Sequence, residues 1–143
     1  MGLYLRGTDY IQLKPSGHPI QPTLSDVKEQ IDEILNQENL KRIFLVTEDL
    51  QIKEEVERVY PGMVMTITDD LFFHNDGRLK YVGERIREAA VNVEENNIRY
   101  LVKILLLSEC KALVGGRTNG SVVAAAFNGR KYSQKFIYDV GLY

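Results

Sequence analysis

Short apolar segments alternate along this chain with amphipathic helical patterns, and this alternation constrains the fold more than any other feature. Segments rich in aliphatic and aromatic residues have the composition of buried strands at 3–5, 42–46, 63–67, 112–116 and 135–140. Helical patterns fill the intervals over 24–38, from 52 to 60, over 80–108 and over 121–128. Strands that alternate with helices predict an α/β domain with a mostly parallel sheet of about five strands.

The clearest helical pattern lies between the first two strands. Its apolar residues recur at about the 3.6-residue repeat of one helix face: Leu24, Val27, Ile31, Ile34 and Leu35. Thr23, with Asp26 three residues later, matches a capping box at the start of this helix. The pattern over 80–108 predicts a longer helix with an interruption near Asn96 and Asn97.

Length and composition exclude several classes of protein. The 143 residues suit a single domain over 1–143, and 18 basic against 20 acidic residues leave a net charge of −2. This balance gives no bulk field that would attract nucleic acid. The longest apolar run, 100–107, contains Lys103 and is too short to span a bilayer, and the N-terminus carries charge where a secretory signal is apolar. We therefore expect a cytoplasmic protein, either free or at the inner face of the membrane.

Few residues suit a metal site or a disulfide. Cys110 is the single cysteine of the chain, so no intramolecular disulfide can form. The two histidines stand far from it, in loops. We therefore predict no zinc site.

Polar residues follow several of the predicted strands, where open parallel sheets bind their ligands. The segment GGRTNGS, 115–121, stands between a strand and a helix. There, glycines let backbone N–H groups turn inward, and the helix N-terminus adds partial positive charge. A phosphate suits this site, with Thr118 and Ser121 as hydroxyl donors, but a tight turn in which Gly and Asn only relieve strain explains the segment equally well. Ser121 stands where the phosphate loop of nucleoside triphosphatases needs lysine, so that motif is excluded.

Arg6 is the second candidate, because a guanidinium just beyond a buried strand can bind two phosphate oxygens. On local evidence, a salt bridge with Asp9 or with another acid at a strand end is the stronger interpretation. Asp9 could orient Arg6 or act as a base, although an acid at a strand end more often caps a turn. Asp69 and Asp70 have the pattern of a metal pair or a base, but such pairs more often end strands in solvated loops. His18 is a loop residue that could contact a ligand.

Five segments, taken in order, resemble the donor-binding half of the fucosyltransferases: YLRGTDY, GHPIQP, RIFLVTED, YPGMVMTITDD and LLLSECKALVGGRTNGSVVAAAF. The likeness runs from Leu3 to about Tyr143 and is to the α-1,6-fucosyltransferase and nodulation-fucosyltransferase branch, with the protein O-fucosyltransferases more distant. It implies a three-layer, Rossmann-like C-terminal half of a two-domain glycosyltransferase of the B type. The N-terminal acceptor half of such an enzyme is absent from this chain.

The resemblance also implies an activity and a set of site residues. The enzymes transfer fucose from GDP-fucose to a glycan or polysaccharide acceptor with inversion, and they need no metal ion or other cofactor. Arg6 matches the arginine that binds the donor β-phosphate, and Asp9 matches the acid that fixes it. The remaining matches are the strand-end Thr47, Glu48 and Asp49, the loop residue His18, and the phosphate-binding turn Gly116, Thr118, Asn119, Gly120 and Ser121.

Three positions depart from the pattern of the resembled branch. Gly7 replaces a second arginine, Tyr4 stands where many members have histidine, and Lys103 stands where an acid often reads the guanine edge. A related sugar nucleotide is therefore an open alternative to GDP-fucose, and so is a non-catalytic nucleotide-sugar-binding or regulatory module. We expect the chain by itself to bind donor weakly and to transfer little sugar, since the acceptor half usually supplies the general base.

Overall fold

The computed structural model describes residues 1–74, 80–89 and 92–143. Within these ranges the strands are β1 Gly2–Tyr4, β2 Ile43–Val46, β3 Val64–Met65, β4 Ala112–Gly116 and β5 Gln134–Tyr138. The helices are α1 Thr8–Leu13, α2 Leu24–Gln37, α3 Leu50–Val59, α4 Val82–Glu88, α5 Val93–Ser108 and α6 Asn119–Asn128.

All neighbouring strands run parallel in one sheet of order β3-β2-β1-β4-β5. Tyr4 of β1 lies level with Val46 of β2 on one side and with Gly115 of β4 on the other. Strands β2 and β3 are therefore added on one side of β1, and β4 and β5 are added on its other side. This change of side forms the crevice in which open α/β sheets bind ligands.

Apolar side chains cover both faces of the sheet. Leu3 and Leu5 point into the core shared with α2 and α3, whereas Tyr4 between them points into the core shared with α5 and α6. Strands buried on both faces explain why the predicted strands are apolar without alternation. The fold is thus a three-layer, Rossmann-like α/β domain with a five-stranded sheet, as predicted from the sequence.

Helix caps confirm two further predictions. The amide N–H of Thr23 donates to Asp26 Oδ2 at 2.7 Å, and the amide N–H of Asp26 donates to Thr23 Oγ1 at 3.3 Å, which completes the capping box of α2. Gly129, with a φ of 63°, ends α6 directly after Asn128 in the left-handed conformation that suits glycine.

The predicted break in the helix over 80–108 was misplaced, and one short helix was not predicted. The helix predicted over 80–108 is two helices, and the interruption follows Glu88 rather than Asn96, because Asn92 Oδ1 accepts from the amides of Glu94 and Glu95 and so begins α5. Residues 90 and 91 lie outside the described residues. The six-residue α1 was not predicted, since it is too short to show a helical repeat. In the part of the chain described, no helix is long and apolar enough to cross a membrane.

Candidate functional site

Arg6 lies at the crevice because Leu5 still pairs with β2, through a 3.1 Å bond from its amide to Val46 O, and the chain leaves the sheet directly afterwards. Arg6 Nη2 donates to both carboxylate oxygens of Asp9, at 3.2 and 3.3 Å. Its Nε lies 3.7 Å from Glu48 Oε1, beyond hydrogen-bonding distance. This Nε is buried and has no hydrogen-bond partner among the described residues. Arg6 is therefore a fixed cation whose bonds to Asp9 all come from Nη2 among the described residues, so its Nε has no acceptor within hydrogen-bonding distance there.

The protonation of Arg6 is set by its two acidic neighbours. Burial by itself would lower the pKa of the guanidinium, but the carboxylates of Glu48 and Asp9 outweigh this and raise the pKa above its usual range. The side chain keeps 22% of its surface exposed. A charged ligand can therefore reach it without a rearrangement of the fold.

Asp9 is buried and has three partners in the part of the chain that the structure describes. Besides Arg6, its Oδ1 accepts from the amide of Tyr10 at 3.0 Å and its Oδ2 from the amide of Val82 at 3.3 Å. Asp9 thus joins Arg6, the first turn of α1 and the start of α4. This arrangement suits an acid that positions the guanidinium.

Glu48 lies on the other side of Arg6, with 15% of its side chain exposed. Its Oε1 accepts from the amide of Gly7 at 3.1 Å and from Thr8 Oγ1 at 3.0 Å. Burial raises the pKa of this carboxyl, and the charge of Arg6 only partly opposes the shift. Glu48 therefore competes with a phosphate for Arg6 when it is ionised, and ceases to compete when it is protonated.

Thr47 and Asp49 hold the backbone beneath the site. Asp49 Oδ1 caps α3 by accepting from the amides of Gln51 and Ile52, while its Oδ2 accepts from the amide of Thr8 at 2.8 Å. Thr47 Oγ1 accepts from the amide of Asp49 at 3.1 Å. Both polar side chains are buried, so the structure gives them internal partners in place of a ligand.

The turn between β1 and α1 is strained at Thr8. Its φ of 36° lies in the left-handed region, which is rare for a β-branched residue. The bonds to Asp49 and Glu48 hold this conformation, and a Cβ at Gly7 would collide with the Asp49 carboxylate. The structure therefore explains why glycine, and no larger residue, stands beside Arg6.

A cavity of about 190 Å³ opens beside Arg6 and Glu48. The aromatic residues that line it include Tyr4, Phe73 and Tyr100. Burial raises the pKa of the Tyr4 hydroxyl, with the neighbouring Tyr100 contributing in the same direction, so this hydroxyl is neutral at physiological pH.

Lys103 and Asp70 form an ion pair in the wall of this cavity, with 2.8 Å between Nζ and Oδ1. The two side chains are only 12% and 3% exposed. Asp70 Oδ2 is buried and has no hydrogen-bond partner among the described residues. Sequence reasoning considered the two residues separately, and their separation of 33 positions gave no signal that they meet.

The glycine-rich turn directs its hydroxyl groups inward. The Ser121 amide donates to Thr118 Oγ1 at 3.1 Å, and the Thr118 amide donates to Ser121 Oγ at 3.0 Å. Ser121 Oγ also donates to Gly116 O at 2.8 Å. The hydroxyls that the sequence suggested as phosphate donors therefore cap α6. At the start of this helix Asn119 is exposed, whereas Gly120 is buried.

His18 is linked to Arg6 through Tyr10. The guanidinium carbon lies 4.5 Å from the centroid of the Tyr10 ring, and the His18 ring packs edge-on against that ring at 5.4 Å. Tyr10 also lines a second, more open depression together with Thr118 and Asn119. Tyr10, which sequence reasoning did not select, therefore connects the Arg6 site with the start of α6.

Apart from Gly116, Asn119 and Gly120 of the glycine-rich turn, the predicted site residues fall into two groups. Arg6, Asp9 and Glu48 meet at the crevice, with His18 reached through Tyr10, whereas Thr47, Asp49, Thr118 and Ser121 serve as internal caps. No group of three or more residues that could hold a metal ion occurs among residues 1–74, 80–89 and 92–143. No protein-family model matches this chain, and a search of curated proteins finds no match.

Proposed function

We propose that the chain binds a nucleoside diphosphate sugar at the carboxyl edge of its sheet, as the donor domain of an inverting, fucosyltransferase-like glycosyltransferase. The observation that carries the proposal is Arg6, a fixed guanidinium at the β1/β4 crevice whose buried Nε lacks a hydrogen-bond partner among the described residues. GDP-fucose is the proposed donor, and a glycan or polysaccharide is the proposed acceptor.

Sugar transfer requires a group that stabilises the departing diphosphate, and a fixed guanidinium can fill this role. Cleavage of the bond between the sugar and the diphosphate builds negative charge on the leaving group, and a fixed cation stabilises that charge more in the transition state than in the ground state. Asp9 holds Arg6 in place, so little reorganisation is needed when the charge develops. The N-terminus of α6, one strand away, adds partial positive charge.

The size of the cavity indicates which part of the ligand enters it. A volume of about 190 Å³ lies below the roughly 300–1,000 Å³ typical of sites for a whole drug-sized ligand. It exceeds the roughly 150 Å³ of a cavity known to admit benzene. We therefore place the nucleobase in the cavity and the diphosphate at its mouth, beside Arg6. A base edge with a carbonyl next to an N–H, as in guanine or uracil, would accept from Lys103 and donate to Asp70 Oδ2.

One observation favours a second candidate, a module that binds the nucleotide sugar without turning it over. Asp9 and Glu48 both lie against Arg6 and offset its charge. A neutralised guanidinium still donates hydrogen bonds to a phosphate, but it stabilises a departing diphosphate less. Slow hydrolysis of GDP-fucose that falls to background in Arg6→Ala would support the transferase, and binding with no acceleration of hydrolysis would support the module.

Calorimetric titration with GDP, UDP, ADP and their sugar conjugates tests the binding proposal. We expect Arg6→Ala to weaken diphosphate binding by about 10- to 100-fold, since hydrogen bonds to charged groups contribute roughly 1.5–3 kcal/mol. Arg42→Ala is the matched control, because Arg42 is exposed at the opposite end of β2 and donates to Gly62 O. If no diphosphate binds, or if Arg42→Ala weakens binding as much, the proposal is wrong.

A further inference from the structure

The outer surface of α5 and α6 is apolar although it faces solvent. On α5 the exposed residues Ile98, Leu101, Val102 and Leu105 have the spacing of a single helical stripe. On α6 the exposed apolar residues include Val123 and Phe127, the latter 62% exposed. We call these six residues the α5–α6 face.

The two helices present these residues as one continuous surface. A Cβ at Gly120 of α6 would lie 2.7 Å from Tyr100 Oη and 2.9 Å from Ile104 Cδ1, so this side of α6 contacts α5. Val123 and Phe127 follow Gly120 by three and seven residues and therefore lie on the same side. At the other end, Asn128 Nδ2 donates to Ser108 O at 2.7 Å, so the helices stay adjacent along their length.

The helices on the other face of the sheet, α2 and α3, provide a comparison, because the outer surface of α2 is charged. The outer surface of α2 carries exposed Lys28, Glu29 and Glu33. By contrast, the sequence of α6 contains no charged residue between 119 and 128. In the middle of α5, Arg99 donates to Asp69 O and Lys103 pairs with Asp70, so both bind the loop after β3. The difference between the layers is typical of a surface that is covered by protein.

We propose that a second copy of this chain covers the α5–α6 face, related by a two-fold axis perpendicular to the helices. The six residues of this face and neighbouring Leu106 are each between 41% and 62% exposed. A stable homodimer buries about 800 Å² on each partner, of which about 65% is apolar. The α5–α6 face therefore supplies the apolar centre that such an interface needs.

Charge at the two ends of the face fits a second copy in this orientation. Glu94 stands at the N-terminal end of α5, and Glu95 beside it pairs with Arg99. At the opposite end, Arg130 and Lys131 follow α6 and outnumber exposed Glu109, which follows α5. The two helices run in the same direction, so the two-fold axis places the acidic end of each copy opposite the basic end of the other. A face that complements itself in this way favours a copy of the same chain over an unrelated partner.

Sedimentation equilibrium and light scattering of the whole chain test this proposal. We expect the wild type to be a dimer and Leu101→Glu to be a monomer, because the substitution places a charge at the centre of the face. Val140→Glu is the control, since Val140 is exposed and lies in the C-terminal segment after β5. This variant should remain dimeric, and far-ultraviolet circular dichroism should show that both variants fold.

A charge exchange tests the orientation independently of the apolar contacts. We expect Glu94→Lys to weaken the dimer by about fivefold, in line with exposed ion pairs, and a second substitution, Lys131→Glu, to restore it. A wild-type chain that stays monomeric at about 100 µM would overturn the proposal, whether it remains free or binds lipid vesicles. Equal dissociation of the Leu101→Glu and Val140→Glu variants would also overturn it.

Discussion

The side chains of Glu48 and Arg6 lie side by side, and each shifts the pKa of the other. The carboxyl of Glu48 is largely removed from water, which disfavours its charged form, while Arg6 favours that form. Burial has the larger effect, so the pKa of Glu48 is raised from its ordinary value of 4.5. The proton on Glu48 therefore controls how much positive charge Arg6 offers to a ligand.

A raised pKa in the folded state fixes the sign of the pH dependence. The native state holds the Glu48 proton to a higher pH than the unfolded chain, so the stability due to this group is fully present below pH 4.5 and is lost as the pH rises through the folded pKa. Glu48→Gln keeps an acceptor for Gly7 and Thr8 but cannot titrate. We expect the unfolding free energy of the wild type, relative to this variant, to fall as the pH rises from 4.5.

Urea denaturation of the wild type and of Glu48→Gln at a series of pH values from 4.5 upward measures the difference in unfolding free energy. Glu54→Gln, which alters an exposed carboxylate of α3, is the control and should follow the wild type at every pH. A difference between the wild type and Glu48→Gln that stays constant or grows with pH would contradict the prediction.

Among the elements, the start of α3 both caps a helix and links two strands. Asp49 caps α3 with one carboxylate oxygen and holds the amide of Thr8 with the other, so a single side chain joins the ends of β1 and β2. Thr23 caps α2 at an exposed position and has no comparable bond to a strand among the described residues. A comparison of variants at the two caps therefore separates the effect of capping a helix from the effect of the added bond to Thr8.

We expect Asp49→Ala to destabilise the protein by about 2–4 kcal/mol, because it removes a cap and leaves the buried amide of Thr8 without a partner. Thr23→Ala should cost about 1 kcal/mol, the ordinary effect of a lost cap. Chemical denaturation of each variant gives these values. Equal losses in the two variants would show that the bond to Thr8 contributes nothing.

The caps also show what sequence reasoning can find. The capping box of α2 was predicted because Thr23 and Asp26 lie three residues apart at the start of a clear apolar repeat. The cap of α6 was missed, although Thr118 and Ser121 have the same spacing, because a phosphate was considered for the same hydroxyls. Local spacing identifies the groups that can bond, but it does not show whether they face inward.

In the whole molecule, Gly120 lies where the layer formed by α5 and α6 packs tightly on the sheet. An added Cβ there would lie 2.7 Å from Tyr100 Oη and 2.9 Å from both Tyr4 Oη and Ile104 Cδ1. The missing side chain thus lets α6 pack at once against α5 and β1. The wall of the cavity depends on the same contact, because Tyr4 and Tyr100 belong to it.

We expect Gly120→Ala to destabilise the protein by about 1–3 kcal/mol through overpacking. Gly83→Ala should instead be neutral or stabilise it by up to about 1 kcal/mol, since Gly83 also lies in a helix but its added Cβ would meet nothing closer than Arg87 Nη2 at 4.0 Å. Thermal unfolding of the two variants measures both effects. A melting temperature that falls equally in both would contradict the packing explanation.

The sequence by itself determined the α/β class, the parallel sheet, the cap of α2 and the position of Arg6 and Asp9 beyond a strand, because these follow from local spacing and apolar repeats. Only the tertiary structure decided which strands are neighbours, and hence that Arg6 lies at the crevice beside Glu48. It also brought Lys103 to Asp70 and turned the hydroxyls of the glycine-rich segment inward. Such contacts depend on how helices pack on both faces of the sheet. That packing brings together residues that are far apart in the sequence, and no local sequence pattern indicates that they meet.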